Sequence, residues 1–346
     1  MLDVGLVGYG LAGRAFHAPF ISSVSGLRLA AVVQRTGSGA LERYPDVLIV
    51  RSLEDLLSIR EIGLVTIATP NPTHFEFARK SMLAGKHVVV DKPFATSYEE
   101  GIKLSKIAQE TGRILGIYQN RRWDGDFKTV RKLVENNTLG AIVLYESHFD
   151  RYRAHTRPTS WRERNEPGSG LLFDLGTHLI DQAMLLLGRP DAVTADIRQE
   201  REGAVVDDAF DVTLRYPSMR ALLRVTMLAS APGPRFLLHG TSSTYVKYGL
   251  DPQEDALKRG DTPGGEAWGR EDPSSYGILT TNDAGKVTTR AIPTADGDYR
   301  AFYENIRDAI LGRAPLAVTS EQALDVLRAL ELARESSASG CTIPWH

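Results

Sequence analysis

The sequence has a single cysteine, almost no net charge and no long apolar run. Because Cys341 stands alone, the chain can form no intrachain disulfide, no cysteine-based zinc site and no iron–sulfur cluster, which favours a reducing compartment. The 43 acidic and 41 basic residues leave a formal net charge of −2, so a general attraction for nucleic acid or a membrane surface is missing. No apolar run approaches the roughly 20 residues that cross a bilayer. We expect a cytoplasmic protein without signal peptide, membrane partner or nucleic-acid partner.

The 346 residues suggest two domains, and the first 118 have the pattern of an α/β fold. Short apolar runs alternate there with helical patterns, which predicts a doubly wound parallel sheet of the Rossmann type. The predicted strands are 4–7, 27–33, 47–49, 64–68, 87–90 and 114–118. Helix starts are indicated at Ser52, at Asn71-Pro72 and at Ser97, where Glu100 three residues on completes a capping-box pattern.

The pattern changes after residue 118 and predicts an α+β domain with a large, mainly antiparallel open sheet. We therefore divide the chain into a nucleotide-binding domain, 1–122, and a substrate-binding and oligomerisation domain, 123–346. Predicted helices are 125–137, 175–187, 299–312 and 320–336, and predicted strands are 141–149, 192–201, 208–216, 220–228, 234–240 and 243–248. Residues 151–170 are expected to form a loop and 251–284 an extended surface excursion.

A glycine-rich turn follows the first predicted strand. Residues 8–13 carry the G-x-G-x-x-G pattern and open a helix. Gly8 permits the tight turn, Gly10 lets the backbone approach a pyrophosphate, and Gly13 lets the helix pack on the strand. A glycine turn without a ligand is the alternative, but the strand–helix context favours a nucleotide site. Its residues are Gly8, Tyr9, Gly10, Leu11, Ala12 and Gly13.

The end of the second predicted strand bears on cofactor choice. An NAD site places an acidic residue there to bind the ribose hydroxyls, whereas an NADP site offers a cation to the 2′-phosphate. The strand ends with Gln34, Arg35 and Thr36, and no acidic residue follows before Glu42. Arg35 can pair with phosphate oxygens, so we predict NADP over NAD. Alternatively, Arg35 is a solvated strand-end charge and Gln34 tolerates either cofactor.

Two further segments carry reactive groups. Asp91-Lys92-Pro93 places a lysine at the carboxyl end of a predicted parallel strand, where doubly wound sheets bind ligands, and the Lys92–Pro93 bond could be cis. A lysine there can stabilise a developing alkoxide or relay a proton, although a strand-end lysine in water is the alternative. At a helix start, Asp174, His178 and Asp181 share one face, which suits proton transfer. An N-cap beside a core histidine remains open, and the set is thin for zinc.

Together with Ala68-Thr69-Pro70-Asn71 and His74, these motifs make the chain resemble the Gfo/Idh/MocA oxidoreductases over almost its whole length. Asp91 stands where that family usually has glutamate. The resemblance implies that Lys92, Asp174 and His178 form the catalytic set. It also implies nucleotide contacts beyond the glycine turn, namely Gln34, Arg35, Thr36, Thr69, Pro70, Asn71, His74, Asp91, Lys92 and Gln119.

A narrower likeness is to NADP-dependent scyllo-inositol dehydrogenases, through residues 10–20, 118–124, 149–153 and 161–163. It implies exchange of hydride between NADP and a secondary ring hydroxyl or ketone of a cyclic polyol or sugar. The expected polyol pocket comprises Asn120, Arg122, Trp123, Arg153, Trp161, Arg162, Asp174 and His178. For the arginine-rich part of this set, a solvated or subunit-contact loop is the alternative.

Two expectations concern the whole protein. A catalytically silent NADP sensor is the rival to the enzyme, and the intact set of Lys92, Asp174 and His178 favours the enzyme. A homodimer or homotetramer is expected through the open sheet of the second domain. The side chains expected to face the partner are Leu214, Leu222, Val225 and Met227.

Overall fold

The computed structural model describes residues 1–157 and 159–346, which form two compact units. The first unit comprises Met1–Asn120, Gln253–Trp268 and Asp298–Leu324, and the second comprises Arg121–Pro252, Gly269–Gly297 and Asp325–His346. Two later segments of the chain, included above in the second domain, thus pack with the first unit. Within the described residues, no helix combines the length and the apolar character needed to cross a bilayer.

The first unit is built on a six-stranded parallel sheet, as predicted. Its strands are β1 (Leu2–Val7), β2 (Leu27–Val33), β3 (Leu48–Val50), β4 (Ile62–Ile67), β5 (His87–Val90) and β6 (Leu115–Ile117). They lie in the order β3-β2-β1-β4-β5-β6, the doubly wound arrangement in which ligands bind beyond the carboxyl ends of the strands. Strand residues such as Val88, Val89 and Val90 are fully buried, as expected for a sheet covered on both faces.

Four helices connect these strands. They are α1 (Ala18–Ser23), α2 (Leu53–Ser58), α3 (His74–Leu83) and α4 (Tyr98–Thr111). Ser52 caps α2 and forms a full capping box with Asp55. Ser97 caps α4 through the amide of Glu100, but the Glu100 carboxylate accepts a hydrogen bond from the amide of Thr96 instead of returning to Ser97. The capping-box prediction for Ser97 is therefore correct for only one of its two bonds.

The second unit contains a nine-stranded sheet that is antiparallel except where β10 runs parallel to β7. Its strands are β7 (Ile142–His148), β8 (Ala192–Arg198), β9 (Ala209–Arg215), β10 (Arg220–Thr226), β11 (Phe236–Gly240), β12 (Ser243–Lys247), β13 (Gly277–Asp283), β14 (Lys286–Ile292) and β15 (Ile343–Pro344). The mainly antiparallel open sheet expected from the sequence is confirmed.

The alternation of side chains along these strands corrects one expectation. Leu214, Val225 and Met227 are at most 3 % exposed, so they belong to the covered face and cannot meet a partner sheet. Leu222 is half-buried and points to the opposite face, because neighbouring residues of a strand alternate sides. The error arose because apolar character alone does not tell which side of a sheet faces the core.

The remaining helices are α5 (Gly125–Glu135), α6 (Thr177–Leu187), α7 (Gln253–Arg259), α8 (Arg300–Ile310) and α9 (Ser320–Ser339). The stretch 251–284, expected to be an extended surface excursion, contains α7 and β13. Most of its Gly, Pro and Asp residues lie between these two elements. The loop expected over 151–170 is irregular apart from the short turn Trp161–Glu163 and an isolated bridge at Tyr152, and its residue 158 lies outside the described residues.

Aromatic side chains pack residues 298–324 against the rest of the first unit. The ring of Tyr299 lies 5.9 Å from that of Phe20, and the rings of Phe302 and Tyr303 lie 4.8 and 5.9 Å from that of Tyr118. Four of these side chains are at most 1 % exposed and Tyr118 is 2 % exposed. Burying one large aromatic side chain contributes about 1.5–3 kcal/mol, so these contacts are a substantial part of the core.

Candidate active site

The glycine turn has the geometry that a phosphate-binding turn requires. Gly8 has φ +96°, and a Cβ there would lie 2.9 Å from the carbonyl oxygen of Ala68. A Cβ on Gly13 would lie only 2.0 Å from the carbonyl oxygen of Gly8. A Cβ on Gly10 would meet no atom of the described chain within 4 Å. Gly8 and Gly13 are therefore demanded by the turn itself, whereas Gly10 leaves open space in front of the backbone, which fits a dinucleotide.

The helix after this turn begins with a π-helical turn, Ala12–His17, in which His17 is completely buried. Its Nδ1 lies 2.7 Å from the Tyr303 hydroxyl, and its ring centroid lies 4.3 Å from that of Tyr118 with the rings tilted by 43°. Its Nε2 lies 3.8 Å from Asp91 Oδ2. His17 was not among the predicted site residues, although it stands one helical turn beyond the last glycine of the motif.

Two arginines lie near the end of β2. Arg35 and Thr36 are exposed, and Gln34 is turned back to the chain, where its Oε1 accepts a hydrogen bond from the amide of Ala40. Arg51 directly follows β3, the neighbour of β2, and donates to the carbonyl oxygens of Gln34 and Gly37 at 2.9 and 2.6 Å. Arg51 was not anticipated, although the adjacency of β2 and β3 would have pointed to it.

The Asp91-Lys92-Pro93 turn lies beyond the carboxyl end of β5, and its Lys92–Pro93 bond is cis. Asp91 Oδ1 accepts a hydrogen bond of 2.8 Å from the amide of Lys92, so the aspartate orders the backbone of the lysine. Burial acts to raise the pKa of Asp91, but His17 and Lys92 outweigh it and hold that pKa below its usual range. Asp91 is therefore a carboxylate at neutral pH.

Two buried residues complete this edge of the first unit. His74 is fully buried, with Nδ1 2.8 Å from the carbonyl oxygen of Pro93 and Nε2 2.8 Å from that of Thr69. Gln119, just beyond β6, is 2 % exposed, and its Oε1 makes no hydrogen bond to any described residue. A buried amide oxygen of this kind suits a donor on a ligand such as a carboxamide. Asn71 and Asn120 are also buried near the strand ends, whereas Leu11 is exposed.

In the second unit, Arg122 is paired with Asp181. The two side chains are 4 and 2 % exposed and share two hydrogen bonds, of 2.8 and 2.6 Å. Arg122 was expected to bind substrate, and Asp181 was expected to share a helix face with Asp174 and His178. In the structure the two side chains bind each other. Trp123, next to the pair, is half-buried.

The start of α6 is held by an aspartate from elsewhere in the chain. A π-helical turn, Leu172–Gly176, precedes α6, and Asp207 Oδ2 accepts a hydrogen bond of 2.7 Å from the amide of Leu172. Asp174 lies in the π-helical turn and His178 near the first residue of α6, where it is 5 % exposed. π-Helical turns are rare and are found often at functional sites.

Arg162 contacts two other predicted pocket residues, Asp174 and Trp161. Arg162 Nε lies 3.4 Å from Asp174 Oδ1, and the Arg162 guanidinium stacks 4.7 Å from the ring of Trp161. All three side chains are partly exposed, so they remain able to contact a ligand. Arg153 behaves differently, since Glu163 gathers it with Arg157 and Arg201 in an ion cluster.

Comparison with known proteins agrees with this geometry. Residues 2–119 match a family model described as an oxidoreductase family with an NAD-binding Rossmann fold, and residues 131–344 match its C-terminal alpha/beta domain. The chain is 41% identical to the oxidoreductase YdgJ of Escherichia coli (strain K12), over 99% of this chain and 98% of that protein. It is 39% identical to scyllo-inositol 2-dehydrogenase (NADP(+)) IolW of Bacillus subtilis (strain 168), over 99% and 95%. The solved structure of the oxidoreductase yvaA from Bacillus subtilis covers 100% of this chain and 98% of its own, with a TM-score of 0.97 at 38% identity.

Proposed function

Because the chain belongs to the Gfo/Idh/MocA family of NAD(P)-dependent oxidoreductases, we propose that it interconverts a secondary ring hydroxyl and a ketone on a cyclic polyol or sugar, with NADP as its cofactor. The observation that carries the substrate class is the full-length likeness to a scyllo-inositol 2-dehydrogenase that uses NADP(+).

Preference for NADP is supported by the loop after β2. It exposes Arg35 and Thr36, its backbone is held by Arg51, and no acidic side chain stands where a ribose-binding acid would be needed. Two guanidinium groups close to the strand end suit a 2′-phosphate, because arginine pairs with phosphate oxygens through charge-assisted hydrogen bonds. In the glycine turn, the space in front of Gly10 would receive the pyrophosphate.

We assign the chemical steps on the substrate to three side chains. In the oxidative direction His178 accepts the hydroxyl proton, and Lys92 stabilises the negative charge that develops on the oxygen. Asp174 binds a neighbouring hydroxyl and is itself oriented by Arg162. The bound nicotinamide supplies the hydride acceptor, and in reduction it supplies the hydride. Trp161 offers an aromatic face to the apolar side of the ring.

Spectrophotometry at the nicotinamide absorption band tests this function. Purified protein is assayed with NADP+ and with NAD+ against a panel of inositols and sugars, and with NADPH against inososes. We expect turnover on at least one cyclic polyol, faster with NADP+, and loss of most turnover in His178→Ala with little change in nucleotide affinity. Tight NADPH binding without turnover on any compound would instead identify a nucleotide-binding regulator.

We further propose that the second unit mediates a homodimer or homotetramer. Its sheet presents a face on which Leu222 and Leu237 are only half-buried within one chain, interspersed with charged residues such as Arg224 and Asp211. Since side chains at this face alternate with those of the covered face, a second copy would bury them without disturbing the core. Sedimentation that gives a monomer at micromolar concentration would rule this assembly out.

A further inference from the structure

His74 occupies an unusual position in the first unit. It is the first residue of α3 and is fully buried. Its two nitrogens each lie 2.8 Å from a backbone carbonyl oxygen, one in Thr69 and one in Pro93. Because both nitrogens are engaged by the chain, the ring cannot contact a cofactor directly through them.

The two carbonyl groups belong to turns that the proposed reaction needs. Thr69 lies two residues beyond β4, and Lys92, the residue before Pro93, lies two residues beyond β5. The two strands are parallel neighbours, with Ile67 opposite Val90, so their turns emerge side by side at the ligand-binding edge of the sheet. His74 therefore joins the turn expected to contact the nucleotide to the turn that carries the lysine.

We propose that His74 is a positioning residue that fixes the Lys92 turn by donating a hydrogen bond from Nδ1 to the carbonyl oxygen of Pro93, while Nε2 lies against the carbonyl oxygen of Thr69. This inference rests on the proposed function only in the role given to Lys92. The ring acts on the lysine through the backbone. Asp91 orders the other side of the same turn by accepting a hydrogen bond from the Lys92 amide.

The surroundings of the ring favour the neutral imidazole, which has one N–H to donate. Burial lowers the pKa of His74, while the Asp91 carboxylate and the two carbonyl oxygens oppose that shift and the neighbouring His17 adds to it. A neutral imidazole donates one hydrogen bond and an imidazolium donates two. A substitution that keeps a donor at the position of only one ring nitrogen therefore tests the contact with Pro93 separately from the contact with Thr69.

Three variants of His74 test the proposal. The amide nitrogen of asparagine can replace Nδ1 and that of glutamine can replace Nε2, whereas phenylalanine keeps the ring volume without a donor. We expect His74→Phe and His74→Gln to lower kcat about 10- to 100-fold, since small misplacements of a reacting group have effects of this size. His74→Asn should recover kcat to within about threefold of wild type, since it restores the contact with Pro93.

A double-mutant cycle separates positioning from general damage. In a Lys92→Ala background, His74→Phe should lower the residual kcat less than about twofold, because its effect passes through the lysine. The matched control is His87→Phe. His87 lies at the amino end of β5, and its Nδ1 accepts a hydrogen bond of 3.0 Å from the amide of Ile114. It should lower stability without lowering kcat.

A second readout needs no substrate. Lys92 is partly exposed, so its labelling by an amine-reactive acetylating reagent can be followed by peptide mass spectrometry, with the exposed Lys103 as internal reference. The labelling ratio should change about threefold or more in His74→Phe, and not in His74→Asn or His87→Phe. An unchanged ratio in folded His74→Phe, or equal effects of all three His74 variants, would overturn the proposal. If the wild type turns over no polyol, the proposed function fails, and the labelling still tests His74.

Discussion

Arg122 and Asp181 form a bidentate ion pair that is almost completely removed from solvent, with hydrogen bonds of 2.8 and 2.6 Å. Arg122 lies just before α5, and Asp181 lies in α6 three residues beyond His178. The pair thus fixes the helix that carries the proposed proton acceptor. It is reinforced by Gln182, whose amide donates a hydrogen bond of 2.7 Å to the carbonyl oxygen of Arg121.

Removing one partner of this pair should destabilise the protein strongly. Arg122→Ala leaves the Asp181 carboxylate buried without its cation, and such losses cost about 3–5 kcal/mol. Arg131→Ala, at the exposed Arg131–Glu135 pair of α5, is the control and should cost at most about 0.5 kcal/mol. Urea unfolding followed by circular dichroism measures both. Equal losses would show that the buried pair has no special weight.

The second and third glycines of the turn should respond differently to one added methyl group. Gly13→Ala forces a Cβ against the Gly8 carbonyl oxygen and should cost about 1–3 kcal/mol of stability. Gly10→Ala meets no described atom within 4 Å, so we expect stability within about 0.5 kcal/mol of wild type. Its NADPH affinity should nevertheless fall at least about tenfold, since the methyl group fills the space meant for pyrophosphate. Fluorescence titration and thermal unfolding give the two numbers, and unchanged affinity in Gly10→Ala would contradict the assigned binding mode.

Cofactor preference should depend on the cation after β2. Arg35→Asp removes the phosphate partner and supplies an acid for the ribose hydroxyls, so the ratio of NADP to NAD affinities should fall about tenfold or more, or about 1.4 kcal/mol. Arg60→Asp makes the same charge change at an exposed position before the amino end of β4 and should leave the ratio unchanged. Dissociation constants for both nucleotides decide the matter, and a wild type that prefers NAD would defeat the assignment from the start.

A histidine between two carboxylates makes the stability of the second unit depend on pH. His148 Nε2 lies 2.7 Å from Glu146 and its Nδ1 3.0 Å from Asp150, and Arg224 faces it from β10. Burial opposes the charged ring, but the bonds to Asp150 and Glu146 prevail and raise the pKa of His148 above its usual value.

Since the pKa is higher in the folded state, this contribution is complete below about pH 6.5, the unfolded value, and disappears as the pH rises through the folded value. The stability lost in His148→Gln should therefore be larger at pH 6 than at pH 9. Urea unfolding of both proteins over this range measures the difference. A loss that does not vary with pH would mean that the ring stays neutral throughout.

The first sheet and six of the nine described strands of the second were predictable because they depend on local patterns, whereas β13, β14 and β15 were not predicted. Continuous apolar runs such as that of β5 indicated strands covered on both faces, and the glycine spacing at 8–13 indicated the turn. The pairing of Arg122 with Asp181 was not predictable, because 59 positions separate the two residues and either charge could equally have met a ligand. The same holds for Asp207 at the start of α6, which caps a helix from a distant loop.

The contacts of the buried histidines were also not predictable from local sequence. His74 was expected to contact the cofactor because it follows the Thr69-Pro70-Asn71 motif, but the structure gives both of its nitrogens to the backbone. A motif reports which residues belong to a site and not which of them face its ligand. Buried contacts with Tyr303, such as that of His17, involve a segment far along the chain and leave no local pattern.

Because residues 298–324 belong to the first unit, they determine how that unit can be produced as a separate fragment. Tyr299, Phe302 and Tyr303 pack on Phe20 and Tyr118. A recombinant fragment that stops at Asn120 would lack these residues and expose an apolar surface. A minimal recombinant version of the first unit must therefore join three separate coding segments.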